Sequence, residues 1–339
     1  MSFLKYEAQN RVKKENKLIK LSKIINWNKT GKHLKQMYAY EINGTGGQKP
    51  YDSLKMYKAV LLGQWYNLSD HELEEALEVR LDFMLFTELE GDVPDETTLC
   101  RFRNRLREKG LDKILFNEIN QALEKAGLKV KECSGAVIDA TIIESSSRPR
   151  KTVEVMAIDR KEEDPAAAGE QENAVTYSND PDARWLKKGN KYHFGYKGFI
   201  ATDEADGYIE KVNVTAANRS EVKELENSLP EKKPGRVYAD KGYASKENRK
   251  MLKSHNIKDG ILEKAVRGKG LTRWQKKKNK LISAKRFIVE QAFGTLKRKF
   301  KFTKAAYNTR TKVELQLIMK ATCFNLLKAI NKVELVMVN

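Results

Sequence analysis

The hydrophobic period of this 339-residue chain changes once, at Gly135, and that change divides what the chain can fold into. Between Asp52 and Gly110 apolar residues recur every three or four positions. Leu54, Tyr57, Leu61 and Trp65 form one stripe behind a capping Asp52 or Ser53, and Leu73, Leu77, Leu81 and Met84 follow a Ser69–Glu72 capping-box pattern. A third helix is expected after Pro94-Asp95, with Leu99, Phe102 and Leu106 inward and Gly110 as its stop. The run Ala136-Val137-Ile138-Asp139-Ala140-Thr141 has no helical period and reads as a strand.

Two more strands are expected over 192–202 and 208–215, joined by a turn at Asp206-Gly207. A helix over 220–229, a strand over 236–240, a helix over 245–255 and a strand over 257–262 follow. Helices over 282–300 and 312–330 end the pattern, the last with Leu317, Ala321, Phe324 and Leu327 on one side. Residues 144–190 show no clear period and read as a loop or insertion. The resulting order predicts an α/β fold, a mixed sheet flanked by helices, which is the order of the ribonuclease H-like fold. It divides the chain into four parts. A basic arm with a Gly-rich linker spans 1–50, an all-α unit 51–130, the ribonuclease H-like unit 131–304 and a C-terminal helix 305–339.

Charge narrows the partners. Against 46 acidic residues stand 65 Lys and Arg, a net charge of +19. Ten basic and two acidic residues lie in the first 35 positions, and fifteen basic residues with one acid, Glu290, lie between Lys264 and Lys304. Such an excess favours a polyanion, most simply double-stranded DNA. The third helix carries Arg101, Arg103, Arg105, Arg107 and Lys109, and two readings fit it. It is either the groove-facing helix of a DNA-binding domain, with Arg101 and Arg105 on DNA, or an amphipathic helix with a solvated basic face. Cys100, Cys133 and Cys323 are too scattered for a disulfide framework or zinc site, which points to a reducing, cytoplasmic setting. No apolar run is long enough to span a membrane.

Three carboxylates stand out. Asp139 interrupts an apolar strand, where a charge is costly unless it is paired or bound to a metal. Asp240 ends a strand, a place where sites collect in α/β folds, although Asp before a glycine-containing turn is also an ordinary turn former. Glu290 shares a helix face with Arg286 and Lys297, apart from the stripe Val289, Phe293, Leu296 and Phe300. Gly294 falls on the same face. That face is read either as a close-approach surface for a DNA backbone or as an i,i+4 salt bridge beside a packing glycine. Asp139, Asp240 and Glu290 together would suit two Mg²⁺ or Mn²⁺ ions acting on a phosphodiester.

At these residues the chain resembles the DDE transposases of bacterial insertion sequences, specifically the insertion sequence five family. The resemblance runs from about Tyr51 to about Leu327. It rests on Leu68-Ser69-Asp70, the stretch Pro94-Asp95-Glu96-Thr97-Thr98-Leu99-Cys100-Arg101-Phe102-Arg103, and Asp139-Ala140-Thr141. Tyr196-Lys197-Gly198, Val214-Thr215-Ala216-Ala217-Asn218, Asp240-Lys241-Gly242-Tyr243 and the spacing of Arg286, Glu290 and Lys297 complete it. It implies cleavage at 3′ ends and transfer of the freed hydroxyl to target DNA by a homodimer or larger multimer bound to terminal inverted repeats. It also implies that Arg286 and Lys297 hold DNA near the glutamate. Ser283 departs from the tyrosine of that signature. Only 50 residues separate Asp240 from Glu290, which leaves no room for a large insertion domain. Trp274 is expected to pack beneath a loop rather than stack on a base, and His193 to be structural. Two other functions fit the same residues: a catalytically inactive, regulatory binder of element ends, and a ribonuclease H-like nuclease that cuts without joining.

Overall fold

In the computed structural model, residues 3–35, 37–38, 49–149, 151–156, 172–177, 179–266 and 268–338 are described. Helices α1 (Phe3–Arg11), α2 (Lys17–Ile24) and α3 (Trp27–His33) precede α4 (Ser53–Tyr66), α5 (Asp70–Val79), α6 (Leu81–Thr87), α7 (Glu96–Glu108) and α8 (Leu111–Lys125). Asp52 caps α4 through the N–H groups of Leu54 and Lys55, and Ser69 and Glu72 close a reciprocal capping box on α5. Asp95 caps α7, and Gly110, at φ +65°, separates α7 from α8.

The first residues differ from the expected arm. Leu18, Leu21, Ile25 and Trp27 are at most 6% exposed and join the main core, so the lysines between them decorate the outer faces of short amphipathic helices. The Gly-rich stretch 43–47 lies outside the described residues.

The main sheet runs β4 (Arg184–Lys188), β5 (Lys191–Asp203), β1 (Ala136–Glu144), β7 (Arg236–Ala239) and β8 (Lys258–Ile261), with β6 (Ile209–Ala216) also paired to β5. Strand β5 lies antiparallel to β1, β4 and β6, whereas β7 is parallel to both β1 and β8. Strands β2 (Lys151–Met156) and β3 (Glu172–Tyr177) pair separately as a two-stranded sheet. The supposed loop over 144–190 therefore holds three strands, and its alanine run, with Pro165 and Gly169, falls outside the described residues. The expected helix over 220–229 is instead two 3₁₀ turns, Glu221–Glu224 and Glu226–Ser228. Buried Glu224 accepts from Arg219, Asn213 and Asn227, and Pro230 follows, so side-chain bonds and a proline replace a continuous helical ladder.

One sheet face packs on α9 (Lys246–Ser254) through Ala136, Ile138, Val237, Ala239 and Leu252. The other carries Val137, Ile200, Tyr238 and Val214, and meets α10 (Arg273–Arg298) and α11 (Arg310–Val338). Helix α11 was expected to have one apolar side, yet every residue from 313 to 327 is buried. It lies between the sheet and the N-terminal helices, and its polar side chains are satisfied from both directions. Glu314 meets Arg107 and Lys113, Gln316 accepts from the Ala306 N–H, and Asn325 bonds Asn120 and the backbone of Ile209.

Candidate active site

The parallel β1–β7 ladder ends with Ile138 opposite Ala239, so Asp139 and Asp240 occupy the next register position. In-register residues on neighbouring parallel strands point to the same face, with strands roughly 4.8 Å apart. That face is the one carrying Val137 and Tyr238, against which α10 packs.

Helix α10 brings the third element. A capping box between Thr272 and Gln275 starts it about nine residues before the expected position. Ile282, Val289, Ala292, Phe293 and Leu296 are its buried stripe, and Arg286 sits at the edge of that stripe with a side chain 13% exposed. Its guanidinium reaches both aspartates: Nη2 lies 2.7 Å from Asp139 Oδ2, and Nη1 lies 3.6 Å from Asp240 Oδ1. The other oxygen of Asp139 accepts from the N–H of Ala140 at 2.8 Å. Burial lifts the Asp139 carboxyl above its ordinary range despite the opposing pull of Arg286.

Glu290 lies one turn beyond Arg286, about 40° further round the helix. It is exposed and makes no hydrogen bond or ion pair among the described residues. The i,i+4 salt bridge offered by the sequence is absent there, because Arg286 turns to the aspartates. Gly294 does not serve close packing either: an added Cβ would meet only the flexible Arg298 side chain, at 3.3 Å. Lys297 stands near Asp139. Burial and the neighbouring Lys188 ammonium pull its pKa down, against the effect of Asp139.

Two further side chains stand beside this centre, neither of them marked by the sequence pattern. Tyr243 is buried, its hydroxyl has no partner among the described residues, and burial together with the Asp139 and Glu221 carboxylates raises its pKa well above the ordinary value. Its signal was its place in Asp240-Lys241-Gly242-Tyr243, a motif read only for the aspartate. Glu221 packs over that turn so closely that a Cβ on Gly242 would meet its Oε2 at 2.5 Å, and it also pairs with Lys197 at 3.4 Å. Nothing in the local sequence of Glu221 announces this, because the pattern of its segment predicts an ordinary helix.

The remaining candidates lie elsewhere. Arg101 is exposed on α7 and Arg105 lies over the Tyr38 ring at 5.1 Å. Two of their neighbours are structural: Arg103 grips Asp70 at 2.6 and 2.7 Å, and Arg107 ties Asp112 to Glu314. The basic series on α7 is thus partly an internal clamp. His193 pairs with Glu144 at 2.8 Å, five residues or roughly 16 Å along β1 from Asp139. Trp274 corrects its expectation. The earlier start of α10 places it in the first turn, 67% exposed, with the Lys278 ammonium over its ring.

Side-by-side carboxylate oxygens are hard donors that fit Mg²⁺ or Mn²⁺, and the guanidinium between them shows that the place accommodates positive charge. Two of the three expected donors are together. Among the described residues no group of three or more His, Cys, Asp or Glu side chains is gathered closely enough to hold an ion.

Residues 133–326 match the family described as Transposase DDE domain, and residues 6–105 match Transposase domain (DUF772). The transposase for insertion sequence element IS1106 of Neisseria meningitidis serogroup B is 45% identical over 234 residues, 68% of this chain and 77% of that protein. Among solved structures, the piggyBac transposase synaptic complex with hairpin DNA aligns over 92% of this chain and 72% of that chain, with 11% identity and a TM-score of 0.44. The Mos1 strand transfer complex aligns over 80% and 84%, with 11% identity and a TM-score of 0.20. The family match across more than half of the chain, joined to the close relative, shows that this protein belongs to the DDE-domain transposases of insertion sequences.

Proposed function

We propose that this transposase binds the terminal inverted repeats of an insertion sequence of the insertion sequence five family, cleaves its 3′ ends and transfers them to target DNA. In this reading its sheet is a ribonuclease H-like core, and Asp139, Asp240 and Glu290 would hold two Mg²⁺ or Mn²⁺ ions. One observation carries the reading: Asp139 on β1 and Asp240 just past the end of the parallel strand β7 are close enough for one guanidinium, Arg286 on the helix that also bears Glu290, to reach both. The sheet topology, with β5 antiparallel to β1, β4 and β6 and with β7 and β8 continuing parallel from β1, supports the fold assignment.

The bound ions would supply Lewis-acid stabilisation of charge at the phosphorus and a more acidic attacking hydroxyl. The chain's own residues do the rest. The pleat of β1 and β7 fixes the two aspartates side by side before DNA arrives. Glu290, exposed on α10 one turn beyond Arg286, would supply the third carboxylate. Lys297, with Lys188 next to it, places positive charge near Asp139 and so offsets the carboxylates' repulsion of a phosphodiester. Arg101 and Arg105 offer phosphate contacts from α7, at some distance in sequence from the site, as expected for a protein that grips an end while cutting it. A homodimer or larger multimer would hold two ends together.

The test is incubation of the purified protein with Mg²⁺ and labelled DNA from the element's own ends, followed by sizing of the products. Wild type nicks and joins. Asp139→Asn binds the ends with little change in affinity and loses cleavage. Full cleavage by that variant would remove Asp139 from the metal site, and binding without nicking by the wild type would favour a regulatory binder.

A further inference from the structure

We propose that Arg286 is a positioning residue that holds Asp139 and Asp240 together by standing where a divalent cation would bind, and that it gives up this place when the cation enters. The inference rests on the metal-site reading above.

Two aspartates in register on adjacent strands repel one another, and like charges directly opposite in a sheet are destabilising. A single guanidinium answers both, at 2.7 Å to Asp139 and 3.6 Å to Asp240. It brings one unit of charge to two carboxylates, whereas a divalent ion brings two. The guanidinium and the ion therefore compete for the same oxygens, and repulsion between them prevents simultaneous occupancy. The arginine is also incompletely satisfied where it stands, because its Nε is buried with no hydrogen-bond partner among the described residues. Its route out is open. Ser283 and Glu290 on the adjoining face are exposed, and beyond them Gly294 presents no side chain. A long side chain at the edge of the buried stripe reaches that face by rotamer change, with no movement of α10. Once there, Arg286 faces the side on which a DNA backbone would approach, so one residue serves the empty site and the loaded site in turn.

The experiment is calorimetric titration of MnCl₂ into the full-length protein without DNA, for wild type, Arg286→Ala and Arg286→Lys. Removing the competitor should tighten Mn²⁺ binding roughly ten-fold in Arg286→Ala, with Arg286→Lys between the two. The metal-free melting temperature of Arg286→Ala should fall, and saturating Mn²⁺ should restore it. A purely structural arginine predicts the opposite, unchanged or weaker Mn²⁺ binding, and that result overturns the proposal. A second measurement needs no alanine variant. In ¹⁵N-arginine-labelled wild type, the Nε–H signal that is missing from Arg286→Lys should shift as Mg²⁺ saturates the site. A signal that stays fixed at saturation overturns the proposal as well. Equal Mn²⁺ affinity in all three proteins defeats this inference alone, whereas Mn²⁺ binding to none of them defeats the metal-site reading with it.

Discussion

Lys320 shows how much a single buried group governs in this molecule. It is 1% exposed, and its ammonium donates to the carbonyls of Phe300 and Gln64 and to the side chain of Asn67, with no carboxylate among these partners. Burial pulls its pKa down to about 8. In the unfolded chain a lysine titrates near 10.4. Below pH 8 both states hold the proton and the burial penalty is constant. Between about 8 and 10 the unfolded chain binds more protons, so this group makes stability rise with pH. Cys133 and Cys323, whose thiols burial pushes up to about 12, act in the opposite sense in that range. The quantity to measure is therefore the difference in urea stability between wild type and Lys320→Met. It should shift in favour of wild type by about 2–3 kcal/mol from pH 7.5 to pH 10. A difference that does not vary with pH would mean that Lys320 titrates normally.

At the scale of elements, α10 is the one whose substitution separates stability from function. Gly294 is a helix-interior glycine where an added Cβ would meet only the far end of the flexible Arg298 side chain among the described residues, so Gly294→Ala should stabilise the protein by about 1 kcal/mol. If a DNA backbone approaches there, the added methyl should also lower end cleavage roughly 10–100-fold through misplacement. A higher melting temperature with undiminished cleavage would remove DNA from that face. The same helix shows what the sequence could reveal. Its stripe of Val289, Phe293 and Leu296 was legible because burial on one side leaves a 3.6-residue period. So were the caps at Asp52, Ser69 and Asp95, which are local chemistry. Helix α11 was only half legible: a helix enclosed on all sides carries buried polar residues whose partners, such as Arg107 for Glu314, lie some two hundred positions away. Strand β4 had a readable Gly189-Asn190 turn leading into β5 but few apolar residues to mark it. At the site, the strand positions of Asp139 and Asp240 were readable. The direction of Arg286 was not, because a long side chain on the edge of a stripe can turn to either face.

Across the whole molecule, the N-terminal helices decide whether the rest holds together. Helices α2 and α3 pack Leu18, Leu21, Ile25 and Trp27 into the same cluster as α4, α6, α8 and α11, and Trp27 stands edge-on to Phe86 at 5.4 Å. Lys58, only 3% exposed, lies over the Trp27 ring and pairs with Glu88 at 2.8 Å, so loss of Trp27 would also open this buried cation to water. Ion pairs from Lys20 to Glu334 and from Lys29 to Glu118 fasten the same helices to α11 and α8. Four large apolar side chains at about 1.5–3 kcal/mol each amount to a sum comparable with the whole stability of an ordinary domain. Those ion pairs, each with one partner open to solvent, add little to it. Deletion of residues 1–35 should therefore do more than weaken DNA binding through lost positive charge. The truncated chain should lose the cooperative melting transition or shift it downward by many degrees, with hydrophobic dye binding at room temperature. A charge-only role is separable from this by a full-length variant with Lys13, Lys14, Lys17 and Lys23 changed to Gln, which should keep the wild-type melting temperature and lower only DNA affinity. Wild-type melting by the deletion variant would show that the first three helices are an appendage, and the burial of Leu18 and Trp27 argues directly against that outcome.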